Sequence, residues 1–491
     1  MTRVVLSIWL LAAAPVLAQG PLDSARGGPA ALAAPPPAGF DRAAAQRDTL
    51  DHLKKLIALD TQNPPGREGL VARYLQSALQ GIPGIEMHVL EAGRSDDPAN
   101  ARANFVARLR AASPTKRPVL IMGHMDVVGA DASKWITPPF TPTERDGYLY
   151  GRGAIDDKGP LAAALTAMRL LAAKRDALDR DIILLGTAAE EGGNEGIEQV
   201  VAQHFDLIKD AEFALNEGGR VRLRDGRVYA IGVQVTEKLS YVVRATARGP
   251  SGHGSVPLAD DAIAALARAV ARVHEARMPV RLNPITREYF AKLATIEADP
   301  AMKDAMTTLA AAQDQARIDA AAALVSRDPA HNATLRTGIS LTMINGGIRA
   351  NVIPSDATAT FNVRTLPDGD IAADVAEMNR IGAERQVTFE LQGRPATAPP
   401  ISSPGTALFR AMEAAARAMA PDAVVMPFMS TGATDGALLR ENGIPTYGIL
   451  PMPLTSDDEL RMHGDNERVP LASIGWATEY LYRVLVDVAA R

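Results

Sequence analysis

Histidine and carboxylate side chains fall at four points of this sequence where an open α/β sheet would bring them together. His124-Met-Asp126 follows the apolar run Pro118–Gly123, which reads as a buried parallel strand. Open sheets of this kind bind ligands at the carboxyl ends of their strands. Strand residues alternate faces, so His124 and Asp126 point the same way. One ring nitrogen could then ligate a metal while the carboxylate fixes the tautomer through the other. Alone, His-x-Asp equally describes an ordinary polar turn. Three more acidic groups alter that balance: Asp156-Asp157 in the loop Gly151–Gly159, Glu190-Glu191 after Ile182–Gly186, and Glu217 after Phe213–Asn216. Two carboxylates ~4 Å apart repel by ~4 kcal/mol at an effective dielectric of ~20, and cations reverse the sign. One Asp and two Glu ligands with two neutral imidazoles leave two divalent ions one charge short of neutrality, which a hydroxide supplies. Nitrogen and carboxylate ligands without thiolates suit zinc, with cobalt or manganese as substitutes. Of two adjacent glutamates, one can ligate while the other takes a proton from water.

The elements that must position these groups alternate. Asp41–Leu59 and Glu68–Leu79 read as helices, and Leu161–Lys174 as another, with Pro160 in its first turn. Strands are expected at Met87–Leu90, Asn104–Leu109, Val119–Met122, Ile182–Gly186 and Phe213–Leu215. That order predicts an α/β domain, a mostly parallel sheet with flanking helices. After Glu237 the pattern becomes β-α-β-β-α-β: Leu239–Ala247, Ala262–Glu275, Gly338–Ile344, Ala357–Val363, Ile371–Ile381 and Val387–Leu391. This predicts an inserted ferredoxin-like α+β domain. An Ala-rich helical insertion occupies about 285–326 within it. A helix at Ala407–Met419 and a strand at Ile444–Ile449 return to the first domain. The expected organisation is a leader over 1–18, a Pro/Ala-rich linker over 19–40, the first part of the larger domain over 41–237, the inserted domain over 238–393, and the second part over 394–491.

With 491 residues, two domains are the natural expectation. The 52 basic and 57 acidic residues give a net charge of −5 without blocks of one sign, which argues against a nucleic-acid partner. Absence of cysteine removes disulfides, thiolate metal sites, a cysteine nucleophile and a lipid-anchored cysteine. Arg3, the apolar stretch Val4–Ala14 and the small residues before Gln19 form a signal-peptide pattern too short for a membrane span. An exported protein, periplasmic or secreted and without a stable membrane span, is expected.

The chain resembles the M20 family of metallopeptidases and aminoacylases, in the branch of carboxypeptidase S and N-acyl-amino-acid hydrolases. The resemblance extends from about residue 45 onward and rests on Gly123–Asp126, Gly151–Gly159, Glu190-Glu-Gly192 and Asn216-Glu-Gly218. Gly249–Gly254, Asn351–Pro354, Ser430–Asp435 and Arg461–Glu467 complete it. It implies a dizinc exopeptidase-like catalytic domain and a lid. Asp156 would bridge two zinc ions per subunit, with His124 and Glu217 on one and Glu191 and His463 on the other. Glu190 would be general base and acid, and Asp126 would orient His124. In the lid, His253 would help stabilise an oxyanion, often in a partner's cleft, and Asn351, Arg364 and Arg394 would contact substrate. The backbone at Gly432 would lie beside it. A homodimer through the lid is an open possibility, because only some relatives use the lid that way.

The reaction implied is hydrolysis of an amide bond next to a free carboxylate, in a small peptide or an N-acyl amino acid. Rivals are weaker. Gly151-Arg-Gly153 lacks the third glycine of a dinucleotide loop, and Gly249-Pro-Ser251-Gly-His253 has His where a nucleophile elbow needs Gly. A non-catalytic metal- or peptide-binding protein would have no need of a free Glu190. His52, His88, His204, His274 and His331 carry no surrounding motif and read as surface or packing residues.

Overall fold

The computed structural model describes residues 34–92 and 101–491. The expected leader and most of the linker lie outside the described residues. Six strands of the larger sheet come first: β1 (Ile85–Ala92), β2 (Arg102–Leu109), β3 (Val119–His124), β4 (Ile182–Thr187), β5 (Phe213–Arg224) and β6 (Arg227–Glu237). The chain then builds a second sheet from β7 (Leu239–Arg248), β8 (Gly338–Gly346), β9 (Asp356–Thr365) and β10 (Val387–Gln392). It returns to the first with β11 (Val424–Ser430) and β12 (Thr446–Leu454).

The larger sheet has the order β11-β6-β12-β5-β3-β4-β2-β1. Its centre, β12-β5-β3-β4, is parallel, as the alternation predicts. The β2 and β1 flank is antiparallel, and β6 turns back from β5 through a two-residue hairpin at Asp225-Gly226. Both turn residues have positive φ, which this hairpin class requires. Every residue of β3 and β4 is buried, which is why both strands are apolar throughout. Along β4, Ile182 and Leu184 enter the core beneath helices Arg42–Ala58, Lys158–Ala172 and Leu471–Ala489. Ile183 and Leu185 enter the opposite core, with Ile197, Val200 and Leu439. Among the described residues, no helix is long and apolar enough to cross a membrane.

The smaller sheet, β8-β9-β7-β10, is antiparallel throughout. Helices Ala262–Glu275 and Ile371–Gly382 cover one face around Val243, Phe361, Leu266 and Met378. This is the ferredoxin-like arrangement expected from the element order.

The Ala-rich insertion is four short helices, Pro284–Ala294, Pro300–Ala311, Gln315–Val325 and Pro329–Leu335. Asn283, Asp299, Asp314 and Asp328 each cap one through the side chain, and proline opens three of the four. These caps divide a composition that otherwise favours continuous helix. The insertion packs on the larger domain: Phe290, Met306, Leu309 and Val325 share a core with Ala230 of β6 and Met426 of β11.

Candidate active site

β3 ends on His124, which is buried. Its Nε2 lies 2.7 Å from Asp156 Oδ1, and its Nδ1 donates to the Asp126 backbone carbonyl at 2.9 Å. The Asp126 carboxylate is farther from that nitrogen, at 3.6 Å. Nδ1–H is thereby committed, leaving Nε2 free to ligate a metal. The Asp126 carboxylate has further partners: the Glu190 and Glu191 backbone N–H groups, both at 3.1 Å, and Asn63 Nδ2 at 2.9 Å. Asp126 therefore joins the His124 strand end to the paired glutamates.

Asp156 is reached from its other side by His463, whose Nε2 lies 3.1 Å from Oδ2. The same Nε2 is 2.9 Å from Glu191 Oε1, which makes no aligned hydrogen bond. Four of the five sequence-predicted ligands, His124, Asp156, Glu191 and His463, thus share one cluster. Two ligands of a tetrahedral zinc ion stand about 3.3 Å apart, close to these separations. The residues fit divalent cations on that ground and by donor chemistry. Glu217, Glu190, Arg364 and Gly432 line the same cavity, of about 700 Å³.

The electrostatics agree with a site built for cations. Burial pushes the Glu217 carboxyl up to about 8, aided by Asp156. Burial likewise raises Glu190 far above the usual carboxylate range. Burial would raise Asp156 too, but hydrogen bonds from His124 and His463 outweigh it and hold that carboxylate low. Bonds to Asp156 and Glu191 raise His463 to about 10. Without metal, the imidazoles are the groups that compensate the carboxylates, and metal binding would release their protons.

The surrounding residues hold the ligands in place. Asp157 Oδ2 accepts from the His124 backbone N–H at 3.2 Å. Gly123 permits this approach, because a Cβ there would lie 2.4 Å from that oxygen. Glu467 accepts from the backbone N–H groups of Gly153, Ile155 and Asp156 at 3.0, 2.7 and 3.2 Å, fixing the loop before and at the central aspartate. Sequence reasoning assigns no role to Asp157 or Glu467; the run Arg461–Glu467 is informative only for its histidine.

Three predicted substrate groups lie elsewhere. His253 lies in a small ribbon, Gly252–His253 paired with Val352–Ile353, Asn351 directly precedes its second strand, and neither lines the cleft. Arg394 is exposed after β10 and also lies outside it. Of the lid groups predicted to meet substrate, Arg364 alone borders the cavity.

Fold and site together define a metallopeptidase-type hydrolase with a lid. The chain belongs to peptidase family M20/M25/M40, whose profile matches residues 120–487. It is 26% identical to human N-fatty-acyl-amino acid synthase/hydrolase PM20D1 over 392 residues, 77% of this chain and 75% of that protein. It is 29% identical to Dictyostelium discoideum probable carboxypeptidase S-like 2 over 397 residues, 78% of this chain and 74% of the other. Human carnosine dipeptidase 1 shares the fold with a TM-score of 0.66 at 18% identity, covering 92% of this chain and 99% of that one.

Proposed function

We infer that this M20 hydrolase cleaves an amide bond whose nitrogen belongs to an amino acid with a free carboxylate. The observation that carries the reading is Glu190. Its carboxylate borders the cavity beside the ligand cluster, and among the described residues no hydrogen bond engages it. A group held this way is available to move protons. His124, Glu217, Glu191 and His463 would hold two zinc ions, with Asp156 between them. Bound ions would supply Lewis-acid polarisation of the carbonyl and acidify a water. Glu190 takes the proton from the attacking water and delivers it to the departing amine. Arg364, from the lid side of the cavity, pairs its planar fork with the substrate carboxylate.

Both a dipeptide and an N-acyl amino acid meet this description. Carboxypeptidase or dipeptidase action is the first reading, supported by the likeness to the carboxypeptidase S-like relative. N-acyl-amino-acid hydrolysis is the second reading, supported by the substrate named for the human relative. The N-terminal pattern supports export to the periplasm or medium. His253 and Asn351 would meet the cleft of a second copy, the two lids joining through the edge strand β8. Its Met343 and Ile344 side chains are 58% and 57% exposed.

The test is a panel of dipeptides, their C-terminally amidated forms and N-acyl amino acids, with zinc, cobalt or manganese and with chelator. Turnover should need metal and fall by at least tenfold when the carboxylate is blocked. Equal turnover of blocked substrates would sink the reading.

A further inference from the structure

Beyond the metal cluster, the cleft holds two guanidinium groups that the hydrolytic reading does not use. Arg220 and Arg222 lie two residues apart on β5, hence on one face of the strand, and both border the cavity. Among the described residues, Arg220 Nη1 donates only to the carbonyls of Gly218 and Gly219, both at 3.0 Å. Arg222 is 23% exposed, and its nearest carboxylate, Glu459, stands 3.8 Å from Nε. Its other contact is a long one, 3.4 Å from Nη1 to the Tyr289 hydroxyl. A guanidinium offers five N–H donors, so most of the capacity of these two remains unused. Withdrawing such a charge from water is costly unless an anion meets it.

Their position is informative. Arg364 lies where its charge is felt by Glu190, whereas Arg220 is felt by Glu217. Arg364 and the β5 pair thus border one cavity but stand nearest different carboxylates of the cluster. The β5 pair has a wall from the helical insertion, Tyr289 and Thr334, facing Phe428 of β11. Once metals neutralise the ligand carboxylates, Glu190 and Glu459 are the acidic groups left in the cavity lining to set against three arginines.

We propose that Arg220 and Arg222 form a second anion subsite, and that the preferred substrate is dianionic, with a carboxylate on each side of the scissile amide. This rests on the amide-hydrolase reading above. Arg364 takes the carboxylate of the leaving amino acid, and the β5 pair takes an acidic end on the acyl half. A dicarboxylic acyl group or an acidic amino-terminal residue has that chemistry.

The test compares N-glutaryl with N-butyryl forms of one amino acid as substrates, and glutarate with butyrate as ligands measured by calorimetry on the zinc-loaded protein. The wild-type chain should prefer the glutaryl substrate in kcat/KM, and bind glutarate more tightly than butyrate, by tenfold or more. Arg222→Gln should bring both ratios below about twofold, and Arg222→Lys should recover part of them. Wild-type ratios near one overturn the subsite while leaving the hydrolase intact, and need no variant to fold. A preference that survives Arg222→Gln overturns the assignment to this side chain. Tight, Arg222-dependent glutarate binding without turnover of either substrate would support the subsite and overturn the hydrolase reading.

Discussion

Arg152 and Glu467 meet at 2.8 Å with side chains only 2% and 1% exposed. The pair fastens two ligand-bearing loops to each other. Glu467 gathers the N–H groups leading to Asp156, and Arg152 Nη2 donates to the carbonyl of Gly464, beside His463, at 2.9 Å.

Glu467→Gln should therefore weaken metal binding without removing a ligand. Partners behind metal ligands commonly contribute about 10–100-fold in affinity. Zinc titration against a competing chelator would show a loss of that size. Unchanged affinity would reduce the pair to a purely structural role.

Glu190 and Glu217 should separate cleanly. Glu190→Gln should retain metal and lose about 10²–10⁴-fold in kcat, the range for a positioned acid–base group. Glu217→Ala should instead lose metal stoichiometry, read by elemental analysis after dialysis. Near-normal kcat in Glu190→Gln would remove it as the base.

Asp126→Asn is predicted to be more disruptive than its size suggests. Its carboxylate accepts from Glu190 N, Glu191 N and Asn63 Nδ2, and an amide NH2 would confront donors with a donor. An unsatisfied buried group costs about 1–3 kcal/mol. Denaturation midpoints and kcat/KM should both fall further than in Asn63→Ala, which removes one donor and leaves the acceptor intact.

Glu68 gives a pH prediction away from the ligands. Burial, reinforced by Asp126, pushes its carboxyl up to about 7, and one oxygen has no hydrogen-bond partner among the described residues. The native state then holds a proton that the unfolded state releases near its usual value. This group's contribution to stability should fall as pH rises from about 4.5 to about 7. Glu68→Gln should match wild type below that window and exceed it above, by up to about 3 kcal/mol at about 1.4 kcal/mol per pH unit. Urea denaturation at pH 4.5 and 8 would check this, and an equal offset at both would contradict it.

The candidate ligands His124, Glu191 and Glu217 were legible because each stands at or just past an apolar strand run, and the sheet collects those runs at one edge. His463 follows no strand; its backbone takes a left-handed φ of 62° in a loop, and only family resemblance points to it. Glu467 is opaque for a different reason. Its partner Arg152 is 315 residues away, and no local pattern links them. β6 and β11 also lack a simple alternation because the insertion covers part of their surface, although Asp225-Gly226 is itself a hairpin signal. The separation of His253, Asn351 and Arg394 from the cleft concerns placement between domains, which residue type does not encode.

The seat of the insertion has a consequence for how this molecule can vary. Its four helices leave from one lid helix and return to a lid strand, yet rest on β6 and β11. Lid and body are consequently stitched together by four chain passages, counting the two at Glu237–Leu239 and beyond Gln392. Lys238 Nζ, at the first, donates to the Arg336 carbonyl at the insertion's end, 2.6 Å away. A graft that exchanged this lid for another would carry off one wall of the cleft with it. The lid and this wall of the cleft are inherited here as a single module.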